Sequence, residues 1–165
     1  MDILVIKNTL PILLKGSIMT VELTVITLIF GTILGVLLAL LKLSKNVALR
    51  TISGFYTWIF RGTPLLLQLF FFYYGLPFIG ITLTPFSAAI LGLGLNCAAY
   101  MAEIIRGGIQ SIDKGQFEAA KALGFTYSDT MRRIILPQTF KVIIPPVGNE
   151  FIAMLKDTRS EEHTS

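Results

Sequence analysis

Between Arg61 and Glu103 the chain runs for forty-one residues without a charged side chain. A helix rises ~1.5 Å per residue and needs about twenty residues to cross a hydrocarbon core of ~30 Å, so this run is too long for one crossing. Gly75, Pro77, Gly80 and Pro85 interrupt it in the middle. The pattern predicts two spans, roughly 57–76 and 85–103, joined by a short loop. Upstream, Leu23–Leu41 supplies nineteen consecutive uncharged residues and predicts a first span. That run exceeds the apolar core of a signal peptide and no small-residue cleavage site follows, so it reads as a retained anchor.

Composition agrees with lipid as the main solvent. Hydrophobic residues make up 53% of the 165, and charged residues 15%, against about 25% in ordinary soluble domains. One domain is expected at this length. The net charge of +4 does not point to nucleic acid, because the fourteen Lys and Arg are scattered between apolar runs and not gathered on one face. Lys42, Lys45 and Arg50 follow the first span, and Arg106, Lys114, Lys121, Arg132, Arg133 and Lys141 follow the third, while the loop near Gly80 has none. The positive-inside rule puts both basic segments in the cytoplasm and the N-terminus outside. Cys97 has no second cysteine to pair with and His163 is the sole histidine, which leaves no metal-spaced cluster and reads Cys97 as a small apolar packing residue.

A further apolar stretch, Val142 to Leu155, contains Pro145, Pro146, Gly148 and Glu150 and predicts a fourth span that is a broken helix. Such breaks survive in lipid only where protein or a wet cavity satisfies the freed carbonyls. The tail from Arg159 to Ser165 is abruptly polar, and residues 159–165 are expected to be a non-native or truncated end to a domain of residues 1–158.

The basic segment after the third span reads EAAKALGFTYSDTMRRIILP from Glu118 to Pro137. Helix formers from Glu118 to Leu123 meet Gly124, which can end a helix at a positive backbone angle. Thr126 with Asp129 fits an N-terminal capping pattern for a second short helix, which Pro137 limits. The expected product is a helix, a glycine elbow and a second helix held outside the membrane. Ala119 and Ala120 would allow close approach by a partner, and Glu118 offers a charge.

This spacing resembles the EAA loop of bacterial ATP-binding-cassette importer permeases. Three more segments are similar to the polar amino acid branch of that family: Phe60 to Leu65 (FRGTPL), Asn96 to Gly108 (NCAAYMAEIIRGG), and Asn149-Glu150-Phe151 with Lys156-Asp157-Thr158. The resemblance implies an all-α, polytopic type I importer transmembrane domain, with about four of five spans present and a cytoplasmic coupling helix. It implies docking on a separate ATPase through Glu118, Ala119, Ala120, Gly124, Leu136 and Pro137. It further implies a second permease subunit, identical or different, an extracytoplasmic solute-binding protein, an amino acid substrate, and location in the bacterial inner membrane. ATP and Mg would belong to the partner, since this chain has no Gly-x-x-x-x-Gly-Lys-Ser/Thr loop.

Charge is costly in a bilayer, at least ~2.5 kcal/mol on insertion scales, so retained charges are functional candidates. A zwitterionic amino acid needs both signs. Arg61, before Gly62-Thr63-Pro64, is the candidate for the substrate carboxylate because its planar fork binds one bidentately; an anchor at the end of a span is the competing reading. Glu150 is the candidate for the ammonium. Thr63, Asn96 and Lys156 complete the expected substrate contacts, with a hydrogen bond between helices as the alternative for Asn96. Glu103 and Arg106, three apart on one helix face, are expected to pair structurally. Gly31-x-x-x-Gly35 would allow close helix contact, and Phe70 to Tyr74 are expected to face lipid or the interface. A membrane-embedded enzyme using Glu103 or Glu150, and a passive channel, are the alternatives. The enzyme lacks a convergent nucleophile, base or metal set, and a channel gives no reason for a docking loop.

Overall fold

The computed structural model describes residues 3–161, with side chains for residues 10–11 and 13–156. Residues 162–165 of the expected non-native tail, and the side chains of 157–161, lie outside the described residues. Among the described residues seven α-helices follow one another: α1 (Ile3–Leu43), α2 (Val47–Gly62), α3 (Leu65–Phe70), α4 (Pro85–Gln110), α5 (Lys114–Ala122), α6 (Tyr127–Thr130) and α7 (Leu136–Glu161). No strand occurs among the described residues.

Two helical stretches, Leu13–Leu43 and Pro85–Gln110, are long and apolar enough to cross a membrane. They are two of the predicted spans. The second predicted span, 57–76, lies within a broken one, interrupted at Gly62-Thr63-Pro64 as those residues lead one to expect: Val47–Gly62 and Leu65–Ile79 meet at an angle of 106°. The cause is Thr63-Pro64, since the residue before a proline is pushed to extended geometry, and Thr63 sits at φ −111°, ψ 143°. Counted as one bent span, the pair brings the crossing segments to three.

The fourth segment corrects the sequence expectation. Pro145 and Pro146 lie inside α7, which continues for 26 residues without interruption. Two adjacent prolines share one local disturbance of the ladder, which the helix passes without ending. Pro137 behaves similarly. It follows a π-helical turn at Met131–Ile135, in which the Leu136 N–H donates to the Met131 carbonyl five residues back. The helix that begins at Tyr127 is therefore not short; the widened turn carries it directly into α7. A second π-helical turn, Phe71–Gly75, precedes Leu76-Pro77 in the same way. At both places a Leu-Pro pair follows the widened turn, which absorbs the missing amide donor.

The core is the seam between α1 and α4, the most extensive helix contact. It is built from small residues, as lipid-solvated helices require for close approach. A Cβ placed on Gly31 would lie 2.7 Å from the Cβ and Sγ of Cys97, and one on Gly35 would lie 2.6 Å from the Met101 Cβ. Ala39, Ala98 and Ala102 are fully buried in the same seam, and Cys97 is buried as a packing residue. Leu23, Leu93 and Met101 fill out the cluster. Phe70, Phe71 and Tyr74 point outward, in line with a lipid-facing girdle, whereas Phe72 and Tyr73 are half-buried.

Candidate functional site

Two regions gather the residues that the sequence singled out. The first is the break between α2 and α3. Pro64 has no amide hydrogen to offer the Phe60 carbonyl four residues back, and an unpaired buried carbonyl is expensive in lipid. Gln68, 7% exposed, repairs the break: its Nε2 donates to Phe60 O (2.8 Å), Thr63 O (3.0 Å) and Thr63 Oγ1 (2.8 Å). Asn96 Nδ2 donates to Phe60 O at 3.0 Å and to Gln68 Oε1 at 3.2 Å. Thr63 Oγ1 donates back to Ile59 O. Thr63 and Asn96, expected to touch substrate, are thus occupied in a polar knot that locks α2, α3 and α4 together. Sequence reasoning missed Gln68, although it is one of only two amide side chains in the forty-one-residue uncharged run.

The second is an open depression of about 440 Å³ beside that knot, lined by residues that include Lys42, Thr57, Arg61, Tyr100 and Glu103. Three helices build it. Arg61 occupies the last turn of α2, where a cation complements the helix dipole, and its guanidinium carbon lies 5.1 Å from the centre of the Tyr100 ring, a cation–π distance. Lys42, from the end of α1, pairs with Glu103 Oε1 and donates to Thr57 Oγ1 at 2.7 Å. Arg106 binds Glu103 Oε2 through Nε (2.9 Å) and NH2 (2.7 Å). The expected Glu103–Arg106 pair therefore forms, and Lys42 is the addition that only the packing of α1 on α4 reveals. Tyr56 fixes the wall by donating to Leu95 O at 2.8 Å.

Of the five expected substrate contacts, only Arg61 lines this depression. Glu150 is half-buried and Lys156 exposed, both on α7 and outside the lining. The carboxylate that does line it is Glu103.

The 118–137 segment has the elbow that its residues predict. Asp113 caps α5 by accepting from Gly115 N. Gly124 takes φ +79°, with Gly124 N bonded to Lys121 O and Phe125 N to Ala120 O, each 3.0 Å. That pair of bonds is the Schellman ending, which needs a residue free of Cβ strain. Thr126 caps α6, accepting from Asp129 N and donating to Asp129 Oδ2. Glu118 and Ala119 are exposed, but Ala120 is buried against its own chain, because neighbours on a helix are about 100° apart. Of the Ala119–Ala120 pair, Ala119 is the one that lies on the outer face. Leu136 is half-buried and Pro137 exposed at the start of α7. Ile135, fully buried, packs in one cluster with Ile109 and Ile112, against which Leu43 and Phe117 also pack, so the elbow is tied to the ends of α1 and α4.

Comparison with known proteins agrees with this architecture. Residues 31–160 match the family of binding-protein-dependent transport system inner membrane components, and the chain belongs to that family. It is 49% identical over 147 residues to the putative glutamine transport system permease protein GlnP of Rickettsia bellii, covering 88% of this chain and 67% of that one. It is 46% identical over 155 residues to the L-cystine transport system permease protein TcyB of Bacillus subtilis, covering 94% and 66%. The chain thus spans about two thirds of the length of these relatives. Among solved structures, an amino acid ABC transporter crystallised with histidines superimposes with a TM-score of 0.91 at 42% identity, over 96% of this chain and 74% of that one. The inward-facing MetNI methionine ABC transporter shares the fold, with a TM-score of 0.72 at 23% identity over 87% and 70%.

Proposed function

We propose that this chain is a permease subunit of an ATP-driven amino acid importer, and that α5 with its glycine elbow is the part that docks on a separate ATPase. The carrying observation is the exposed, doubly capped α5–Gly124–α6 element, attached through Ile135 to the bundle. A short rigid helix of this kind suits insertion into a cleft of a partner. Closure of the ATPase pair would push α5, and the continuous helix from Tyr127 through α7 would carry the displacement along the spans. ATP and Mg would act on the partner. A second permease subunit and a solute-binding protein on the outer face complete the assembly, with the N-terminus outside. Family membership and the amino acid transport names of the relatives support the substrate class.

Co-purification with the ATPase subunit of the same importer tests the docking role. The unmodified chain is expected to capture the ATPase, and Glu118→Lys combined with Gly124→Asp to lose it while still inserting in membranes. Equal capture by both forms refutes the assignment of α5.

A further inference from the structure

The two halves of the broken span meet α4 differently. Leu65–Ile79 turns away from α2 by 106°. α3 lies lengthwise and antiparallel on α4, with Gln68 at Asn96 and Leu69 against Gly92. α2 follows no such order: Phe60 O accepts from Asn96 Nδ2, Arg61 lies over Tyr100, and Thr57 reaches Glu103 through Lys42. It therefore crosses α4 and, with α4 as a span, lies near the membrane plane. Glu103, at the end of the crossing, stands eighteen residues after Pro85, about 27 Å along the helix and near the far side of a hydrocarbon core of ~30 Å. Lys42 and Arg106 bind Glu103 at that level, just before the basic segments that follow α1 and α4.

A helix at that depth has two solvents to satisfy. Ser53 and Thr57 of α2 are buried against the bundle, whereas Ile52, Phe55 and Trp58 are 65%, 60% and 71% exposed on the other side. Between these faces runs an edge that carries Arg50, Gly54 and Arg61, since positions four, seven and eleven apart fall close together at 3.6 residues per turn. Gly54 leaves the edge hollow, and it lines the open depression together with Trp58, Arg61 and Tyr100. Aromatic rings with a polar end, set beside arginine on an amphipathic helix, suit the headgroup layer of a bilayer. The charges of the site do not cancel. Glu103 is the one carboxylate in the lining, and Lys42 and Arg106 already hold its two oxygens. Arg50 and Arg61 are exposed and have no carboxylate partner among the described residues.

We propose that α2 and the depression beside Arg61 form a binding site for an anionic phospholipid: Arg61 takes the phosphate, and the acyl chains lie along Trp58, Phe55 and Ile52. Basic pockets between membrane helices are suited to such headgroups, and the guanidinium fork matches a phosphate. A zwitterionic lipid brings its own cation into a site that already has an excess of positive charge, so it binds less well. The exposed apolar face adjoining Arg61 calls for a lipid and not a free phosphate ion. This site goes beyond the importer reading and requires only that the chain sits in a bilayer.

Trp58, the single tryptophan of this sequence, reports on the site. The test is fluorescence of the full-length protein, assembled with its ATPase in nanodiscs of phosphatidylcholine and phosphatidylglycerol, with a Trp58→Phe assembly subtracted so that the signal belongs to Trp58. Lipid composition is held constant, and equal amounts of one lipid or the other carry bromine on their acyl chains as a quencher. Brominated phosphatidylglycerol is expected to quench Trp58 about threefold or more over brominated phosphatidylcholine. Arg61→Gln is expected to make the two equal, and Lys141→Gln, which removes the same charge from an exposed position on α7, to leave the ratio unchanged. Should Arg61→Gln fail to assemble, salt decides: at about 1 M, where the Debye length is ~3 Å, the ratio in the unmodified protein is expected to fall by at least half. Equal quenching by the two lipids shows a helix that faces lipid without selecting its headgroup. Quenching by neither shows that protein, such as a second permease subunit, covers Trp58. Either result, or a ratio untouched by Arg61→Gln or by salt, overturns the proposal and leaves the importer reading intact.

Discussion

Alanine in place of Gly31 adds one methyl group at a point of close approach in the α1–α4 seam. That methyl would lie 2.7 Å from both Cβ and Sγ of Cys97 and 3.2 Å from the carbonyl oxygen of Gly94. Carbon atoms pack best at about 3.5–4.0 Å, so the helices must separate by roughly 1 Å. Neither Cys97 Cβ nor a backbone carbonyl can rotate out of the way. Overpacking of this kind costs about 1–3 kcal/mol. The same change at Gly107 of α4, where no atom lies within 4 Å, should have the opposite sign, because alanine is about 0.5–1 kcal/mol better than glycine inside a helix. Reversible unfolding in mixed micelles of a mild detergent and dodecyl sulfate would measure both. The expected result is a lower midpoint for Gly31→Ala and an equal or higher one for Gly107→Ala. Cys97→Ala should not rescue Gly31→Ala, since it leaves the offending Cβ, whereas Cys97→Gly should. Equal shifts for the two glycine variants, or rescue by Cys97→Ala, would refute the close-packing argument.

Gln68→Leu should destabilise the bundle by about 1–3 kcal/mol, since it removes the Gln68 donor from Thr63 O and from Phe60 O, which keeps the bond from Asn96; unfolding in the same micelles checks this, and a neutral result would mean that the knot does not bear on stability. Thr126→Ala should cost about 0.5–2 kcal/mol of local helix stability by removing the cap of α6. Hydrogen exchange is expected to speed up at the first amides of that helix while the amides of α4 keep their protection, and a uniform loss of protection would contradict a local role.

Much of this protein was legible in its residues because lipid leaves a chain so few choices. A backbone in hydrocarbon has to satisfy its own hydrogen bonds, so apolar runs of about twenty residues become helices. Leu23–Leu41 and the run from Pro85 did so. The elbow was equally local: Gly124 at φ +79° and the Thr126–Asp129 cap involve residues a few positions apart, and spacing along the chain is enough to place them. Gly31 and Gly35 announced close packing, although not their partner.

Only tertiary structure decided what those elements touch. Gln68 and Asn96 are twenty-eight positions apart, and their joint duty toward Phe60 O exists only because α4 lies against the broken span. Thr63 and Asn96, expected from the sequence to touch substrate, also take part in the repair of a helix break. Prolines misled in the other direction: read alone they end helices, yet α7 runs through Pro145 and Pro146, and a π-helical turn absorbs Pro137. Lys42 meets Glu103 across sixty-one positions. Its charge was visible in the sequence as a mark of topology, whereas its place at the depression depends on the packing of α1 against α4. The sequence alone thus determined the spans of α1 and α4, the elbow with its caps and the family the chain belongs to, since these follow from local chemistry and from solvation by lipid. The depression and its charge balance were decided by tertiary structure, because they depend on distances between helices that no local pattern encodes.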